Sequence, residues 1–186
     1  MTPYHSGVDF AVNIMACYRR TPLDIRERDW YGTAHALALE LSPGDVWRGA
    51  GVISALSPLK RWSQNEAMAR NAFETGIASG NVGMHNRFAQ RILDGEFALD
   101  VLNGDKTRSF AEAIATAGNG RIATIDRHAH DIAMGRAFPD KERKIGKVLY
   151  RNMAAAYSEV ADYLGNSVNQ IQAITWEQWR IERGIS

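Results

Sequence analysis

A single cysteine, Cys17, in a chain of 186 residues removes several chemistries at once. One thiol cannot close an internal disulfide, complete a four-cysteine zinc site or hold an iron–sulfur cluster, and this usage fits a reducing cytoplasm. Proline is scarce, and no Pro/Gly-rich tract, low-complexity stretch or internal repeat divides the chain. No apolar run approaches the ~20 residues that a membrane helix needs. The opening Met1-Thr2-Pro3-Tyr4-His5-Ser6 lacks the basic-then-apolar pattern of a secretory leader. A cytoplasmic protein with no membrane partner is therefore expected. Charge imbalance is missing too. The formal net charge is +1, so a nucleic-acid partner would have to be met by a local basic surface.

Hydrophobic content of 45% and charged content of 23% are ordinary for a globular protein. The length suits one compact unit made of two small lobes. The punctuation is that of short helices. Ser42-Pro43-Gly44-Asp45 offers an N-cap serine with proline at the first helical position, and Pro58 closes the helix so opened. Ser63-Gln64-Asn65-Glu66 has capping-box spacing for a helix that stops near Gly76. Further helices are predicted over residues 85–93, 97–102 and 106–117. Gly95, Gly104 and Gly118 stand where a left-handed C-terminal residue is useful. Ile122-Ala123-Thr124-Ile125 is the one β-like run and is too short to found a sheet. Helices over 126–134, 142–164 and from Ser167 onward complete about nine. The fold class is all-α.

Three segments carry candidate chemistry. Val52 to Pro58, followed by Trp62 and Asn65, reads as a buried helix, a stop and a capped restart. Leu102-Asn103-Gly104-Asp105-Lys106-Thr107-Arg108 is a glycine turn at a helix start. Its free N–H groups, with Lys106 and Arg108, could hold a phosphate of a DNA backbone, or it is a plain helix connection with a solvated lysine. Ile122 to His130 delivers Asp126 to a helix start, where aspartate is a favoured N-cap and, given a cleft, a candidate catalytic carboxylate. Asp126 and His130 share a helix face and, with His5, His35 or His85, offer a metal alternative. Packing and solvent exposure account for these histidines more simply, so no metal is assigned. Trp30, Trp47 and Trp62 could give stacking faces to a base or fill the core.

The order and spacing of these segments resemble the helix-hairpin-helix, endonuclease III-like DNA glycosylase superfamily. There a Leu-Pro-Gly-Val-Gly-x-Lys hairpin precedes a Val-Asp-Thr-His segment by an interval close to that between Lys106 and Asp126. The resemblance covers about Trp47 to Gly135. It implies two helical lobes around a cleft, one approximately 31–125 with the hairpin, the other 1–30 plus 126–186. Asp126 matches the catalytic aspartate, His128 the motif histidine, and Lys106 the lysine that attacks C1′ in bifunctional members. Ser57, Pro58, Trp62, Asn65, Gly104, Arg108, Arg127 and His128 are then the substrate-binding candidates. The hairpin here is two residues shorter and lacks its second glycine, and Arg127 replaces the motif threonine.

The implied function is DNA base processing: flipped-base recognition and N-glycosidic cleavage assisted by Asp126, with DNA as partner and no cofactor. A flipped base needs an aromatic or apolar pocket, and the cationic sugar formed on cleavage needs a carboxylate. The shortened hairpin is similar to a phage branch thought to join amino acids or amines to activated thymine, which would place the protein in a phage-infected or bacterial cytoplasm. A non-catalytic DNA-binding helical module is the third expectation.

Overall fold

The computed structural model describes residues 8–120 and 122–184. These residues form an all-α structure of eleven α-helices and one 3-10 turn, with no strand among them. In chain order the helices are α1 (Phe10–Arg20), α2 (Leu23–Arg26), α3 (Trp30–Leu41), α4 (Val46–Leu56), α5 (Trp62–Thr75) and α6 (Gly83–Leu93). They continue as α7 (Ala98–Val101), α8 (Asp105–Ala115), α9 (Arg127–Met134), α10 (Lys147–Leu164) and α11 (Val168–Glu182). The 3-10 turn spans Asp140–Glu142. No helix of the described residues is long and apolar enough to cross a membrane.

The chain divides into two compact units. One is continuous, Trp30–Gly120; the other is discontinuous, Met1–Asp29 with Arg121–Ser186. The continuous unit is built around α4, in which every residue from Gly49 to Leu56 is buried. Helices α3, α5, α6, α7 and α8 all pack against it. Two glycines permit that enclosure. A Cβ on Gly49 would lie 2.2 Å from the Ala38 carbonyl oxygen, and one on Gly51 would lie 2.5 Å from the Ala98 Cβ. Close helix approach, not turn-making, is what those glycines serve.

In the discontinuous unit α1 packs on α9, α10 and α11, and α2 on α11. Ile14, Cys17, Ile132, Met153, Tyr157 and Ile171 form its core. Fully burying such aliphatic and aromatic side chains is worth about 1.5–3 kcal/mol each. One charged group is enclosed there. The Asp131 carboxylate accepts from Arg143 Nε and Nη2, both at 2.9 Å, from the Phe138 N–H at 3.2 Å and from His130 Nδ1 at 2.8 Å.

Several boundaries differ from the sequence expectation for local reasons. Ser42 does not cap α4. Gly44, at φ +85°, turns the chain so that Asp45 Oδ1 accepts from Arg48 N–H and becomes the cap. Helix α5 begins at Trp62, one residue before the proposed Ser63 cap, and its box is Gln64 Oε1 accepting from the Arg61 N–H. Gly104 is not a left-handed stop; at φ −96° it is the extended N-cap of α8, whereas Gly95 and Gly118 do take positive φ. The long helix α10 starts at Lys147, not 142, because Arg143 is drawn into the Asp131 cluster. Helices α1 to α3 went unassigned in the sequence reading.

Candidate functional site

The run before Asp126 is irregular, with the Asp126 N–H turned back to the Thr124 carbonyl, and has no partner strand among the described residues. Side chains satisfy its backbone instead. The Ile122 carbonyl accepts from Asn169 Nδ2 at 3.2 Å, the Thr124 N–H donates to Gln172 Oε1 at 3.4 Å, and the Tyr150 hydroxyl bridges the Ala123 carbonyl and the Ile125 N–H. Asn169 and Gln172 are buried, so α11 clamps this segment within the core. Buried peptide groups that lack ladder partners must find substitutes of this kind.

The clamp delivers Asp126 to the start of α9. There Oδ1 accepts from the His128 N–H at 2.9 Å and the Ala129 N–H at 2.8 Å. Among the described residues Oδ2 has no hydrogen-bond partner. One oxygen is thus spent on the helix and the other is open. Asp126 is half-buried and Arg127 exposed. Arg127 Nε lies 3.3 Å from His128 Nε2, which makes that ring nitrogen an acceptor and puts the ring proton on Nδ1. Burial pushes the His128 imidazole below its ordinary pKa; Asp126 opposes this, and Arg127 and Arg180 add to it. The imidazole is neutral at neutral pH. Its ring meets Trp176 edge-on at 6.2 Å, and the Arg180 guanidinium carbon sits 4.5 Å over the Trp176 ring. Asp126, Arg127, His128, Trp176 and Arg180 are therefore one constellation, built by α9 and α11.

The other sequence-predicted residues lie in the continuous unit. Ser57 donates its hydroxyl to the Ser54 carbonyl, and Ser54 donates to the Thr107 carbonyl at 2.7 Å, which ties the end of α4 to the first turn of α8. Trp62 is 4.9 Å from Trp30, and Trp30 stacks on Phe110 at 6.0 Å, so the aromatic rings engage one another. Trp47 packs against Phe97. Asn65 is 2% exposed and its Oδ1 has no partner. Lys106 is exposed on the first turn of α8, which no side chain caps. Arg108 Nη1 is engaged by the carbonyls of Leu99 and Leu102, so part of its fork is spent closing the α7–α8 turn.

The metal alternative finds no geometry. His130 turns to Asp131 and His35 Nδ1 to the Ile114 carbonyl, and His5 lies outside the described residues. No three His, Cys, Asp or Glu side chains of the described residues gather as a metal site.

A family model described as a family of unknown function, DUF7178, matches residues 4–183. The chain belongs to the DUF7178 family. No curated protein and no solved structure matches it.

In this DUF7178 chain three features escaped the sequence reading. Trp176 and Arg180 stand four apart, on one face of α11, a spacing that signals a shared surface but not the helix it meets. Asn169 and Gln172, to which the sequence reading gives no role, are the clamp. Leu59 is the third. Between Pro58 and Lys60 it takes φ +62° in a turn closed by the Lys60 N–H to the Ser57 carbonyl, and it is 95% exposed. Pro58 followed by a positive φ is the type II pattern, which prefers glycine or asparagine where Leu59 stands. Asn81 Nδ2 holds the turn through the carbonyls of Leu56 and Pro58.

Proposed function

We propose that this DUF7178 chain processes a base of DNA in the manner of a DNA glycosylase, with Asp126 as the reacting carboxylate. The observation that carries the reading is the divided role of Asp126. Its Oδ1 is immobilised by two backbone donors, while Oδ2 is left for a substrate. A carboxylate used only as a cap gains about 1 kcal/mol from that bond and has no need of a neighbouring neutral imidazole on which two arginines act. In the reaction the C1′–N bond breaks, its electron pair leaves with the base, and the positive charge on the sugar is stabilised by Asp126. Water then adds at C1′ and gives its proton to the carboxylate. His128, being neutral, adds no competing positive charge. Phosphates are assigned to Lys60, Arg61, Lys106 and Arg127. The exposed Leu59 beside Lys60 and Arg61 supports a duplex partner, since apolar tips flanked by cations enter base steps.

The test is mass spectrometry of nucleosides and released bases after incubation with plain and hypermodified DNAs. A free base confirms cleavage; a nucleoside of increased mass instead identifies a base-modifying transferase. Asp126→Asn is expected to reduce turnover by at least ~100-fold while keeping DNA binding and fold, because asparagine still caps the helix. Full activity in that variant would reduce Asp126 to a cap and defeat the reading. Borohydride trapping of wild type and Lys106→Ala reports on attack at C1′ by the lysine: a trapped adduct lost in the variant makes Lys106 the nucleophile.

A further inference from the structure

Most of the ion-paired arginines of the discontinuous unit have a clear acidic partner. Arg20 pairs with Glu182, Arg28 with Asp24 and Glu177, and Arg143 with Asp131 and Asp140. Arg127 and Arg180 have no salt bridge among the described residues, as is also true of Arg19, Arg26, Arg136 and Arg151, and the Arg180 side chain makes no hydrogen bond there; these two stand apart because both act on His128. Both converge on one imidazole: Arg127 through Nε to His128 Nε2 at 3.3 Å, and Arg180 through the Trp176 ring that meets His128 edge-on. Stacking on an indole fixes the plane of a guanidinium without consuming its N–H donors. Both cations act on the His128 imidazole, and an anion set beside it accepts from the N–H donors that each leaves unspent.

We propose that Arg180 of α11 and Arg127 of α9 jointly hold one phosphate of a nucleotide, directly beside the open oxygen of Asp126. The proposal rests on the DNA base-processing reading for its setting and extends it to α11, which lies outside the segment that resembles a glycosylase. A phosphate in that position fixes the sugar of the same nucleotide with respect to Asp126. Specificity for the base then comes from elsewhere, because phosphate contacts set register and carry no sequence information. The ligand chemistry is a phosphate ester, either a phosphodiester in a DNA strand or the phosphate of a free nucleotide.

The full chain separates these in two arms. In the first, binding of a labelled oligonucleotide is followed by fluorescence anisotropy across a salt series for wild type, Arg180→Gln, Arg180→Lys and Arg151→Gln. Arg180→Gln is expected to weaken binding roughly tenfold and to reduce the slope of log K against log salt by about one. Arg180→Lys keeps the slope while binding more weakly, and Arg151→Gln, on an exposed position of α10, changes neither. A role for Arg180 confined to holding Trp176 would leave the salt slope untouched. An equal loss from Arg151→Gln would reduce the effect to general surface charge; either result overturns the proposal. In the second arm the arginine Nε–Hε resonances are followed while thymidine 5′-monophosphate and inorganic phosphate are added. Joint shifts of Arg127 and Arg180 with the nucleotide uphold the site even where the oligonucleotide does not bind, in which case only the DNA reading fails. Absence of shifts with both ligands and no slope change in the first arm overturns the site itself.

Discussion

Asp131 keeps its charge at 4% side-chain exposure because every direction around it supplies a donor. Burial alone would raise its pKa; the hydrogen bonds from His130, Arg143 and the Phe138 N–H outweigh that and hold it below the ordinary carboxylate value. The sign of the pH dependence follows. A group whose folded pKa is depressed contributes stability above its unfolded value, about 3.9 for aspartate, and loses it as pH falls through the folded value. Denaturant titrations are expected to show an acid limb beginning near pH 4, flattened in Asp131→Asn. Asp131→Ala should cost about 3–5 kcal/mol, since it leaves Arg143, which is only 12% exposed, with just the exposed Asp140 and the Phe138 carbonyl as partners. A loss below about 1 kcal/mol would mean that Arg143 finds water instead. The cluster also shows how far composition alone could reach. A lone buried carboxylate cannot be recognised in the string His130-Asp131, because its cation sits twelve residues away beyond a 3-10 turn.

Elements were legible where their ends depend on neighbouring residues. The Asp126 and Ser167 caps and the Gly76 stop were readable because a cap is a bond to a backbone group two to four residues away. Helix α3 was not, since its residues Trp30-Tyr31-Gly32-Thr33-Ala34-His35-Ala36-Leu37 present no single apolar stripe. That pattern belongs to a helix with neighbours on several sides, here α4, α5 and α8. Half of the candidate site was legible for the same reason: Asp126, Arg127 and His128 are contiguous, while Trp176 and Arg180 join them only through the packing of α9 on α11. The α4–α5 turn is an element with a cost built into it. A leucine in the left-handed region is strained by roughly 1–2 kcal/mol, and Asn81 supplies the bonds that hold it there. Leu59→Gly is therefore expected to raise stability by about 0.5 kcal/mol, part of the relief being offset by the greater freedom of glycine in the unfolded chain. The same variant should bind duplex DNA more weakly. A thermal melt that shows a lower midpoint would show that the leucine is not strained.

At the scale of the whole chain, one unit is continuous and the other is assembled from both ends of the sequence. The continuous unit has its own enclosed helix in α4, so the fragment 30–120 is expected to fold alone. Circular dichroism should give a helical spectrum and a single cooperative melt. A molten, non-cooperative fragment would show that its core depends on the rest of the chain. The discontinuous unit has no such independence, because α1 contributes Ile14 and Cys17 to a core whose other members come from α9, α10 and α11. Translation makes this a matter of time. At about 5–20 residues per second, roughly 5–30 s separate the emergence of α1 from that of its partners. Throughout that interval the apolar face of α1 waits uncovered beside the ribosome. Cys17 waits with it. Burial in the finished protein pushes its thiol up to about 12 and makes it inert, but on the nascent chain it is an ordinary exposed sulfhydryl. The moment at which Cys17 is open to oxidation is therefore during synthesis, and an oxidised Cys17 would be carried into a core where the finished protein leaves it 1% exposed.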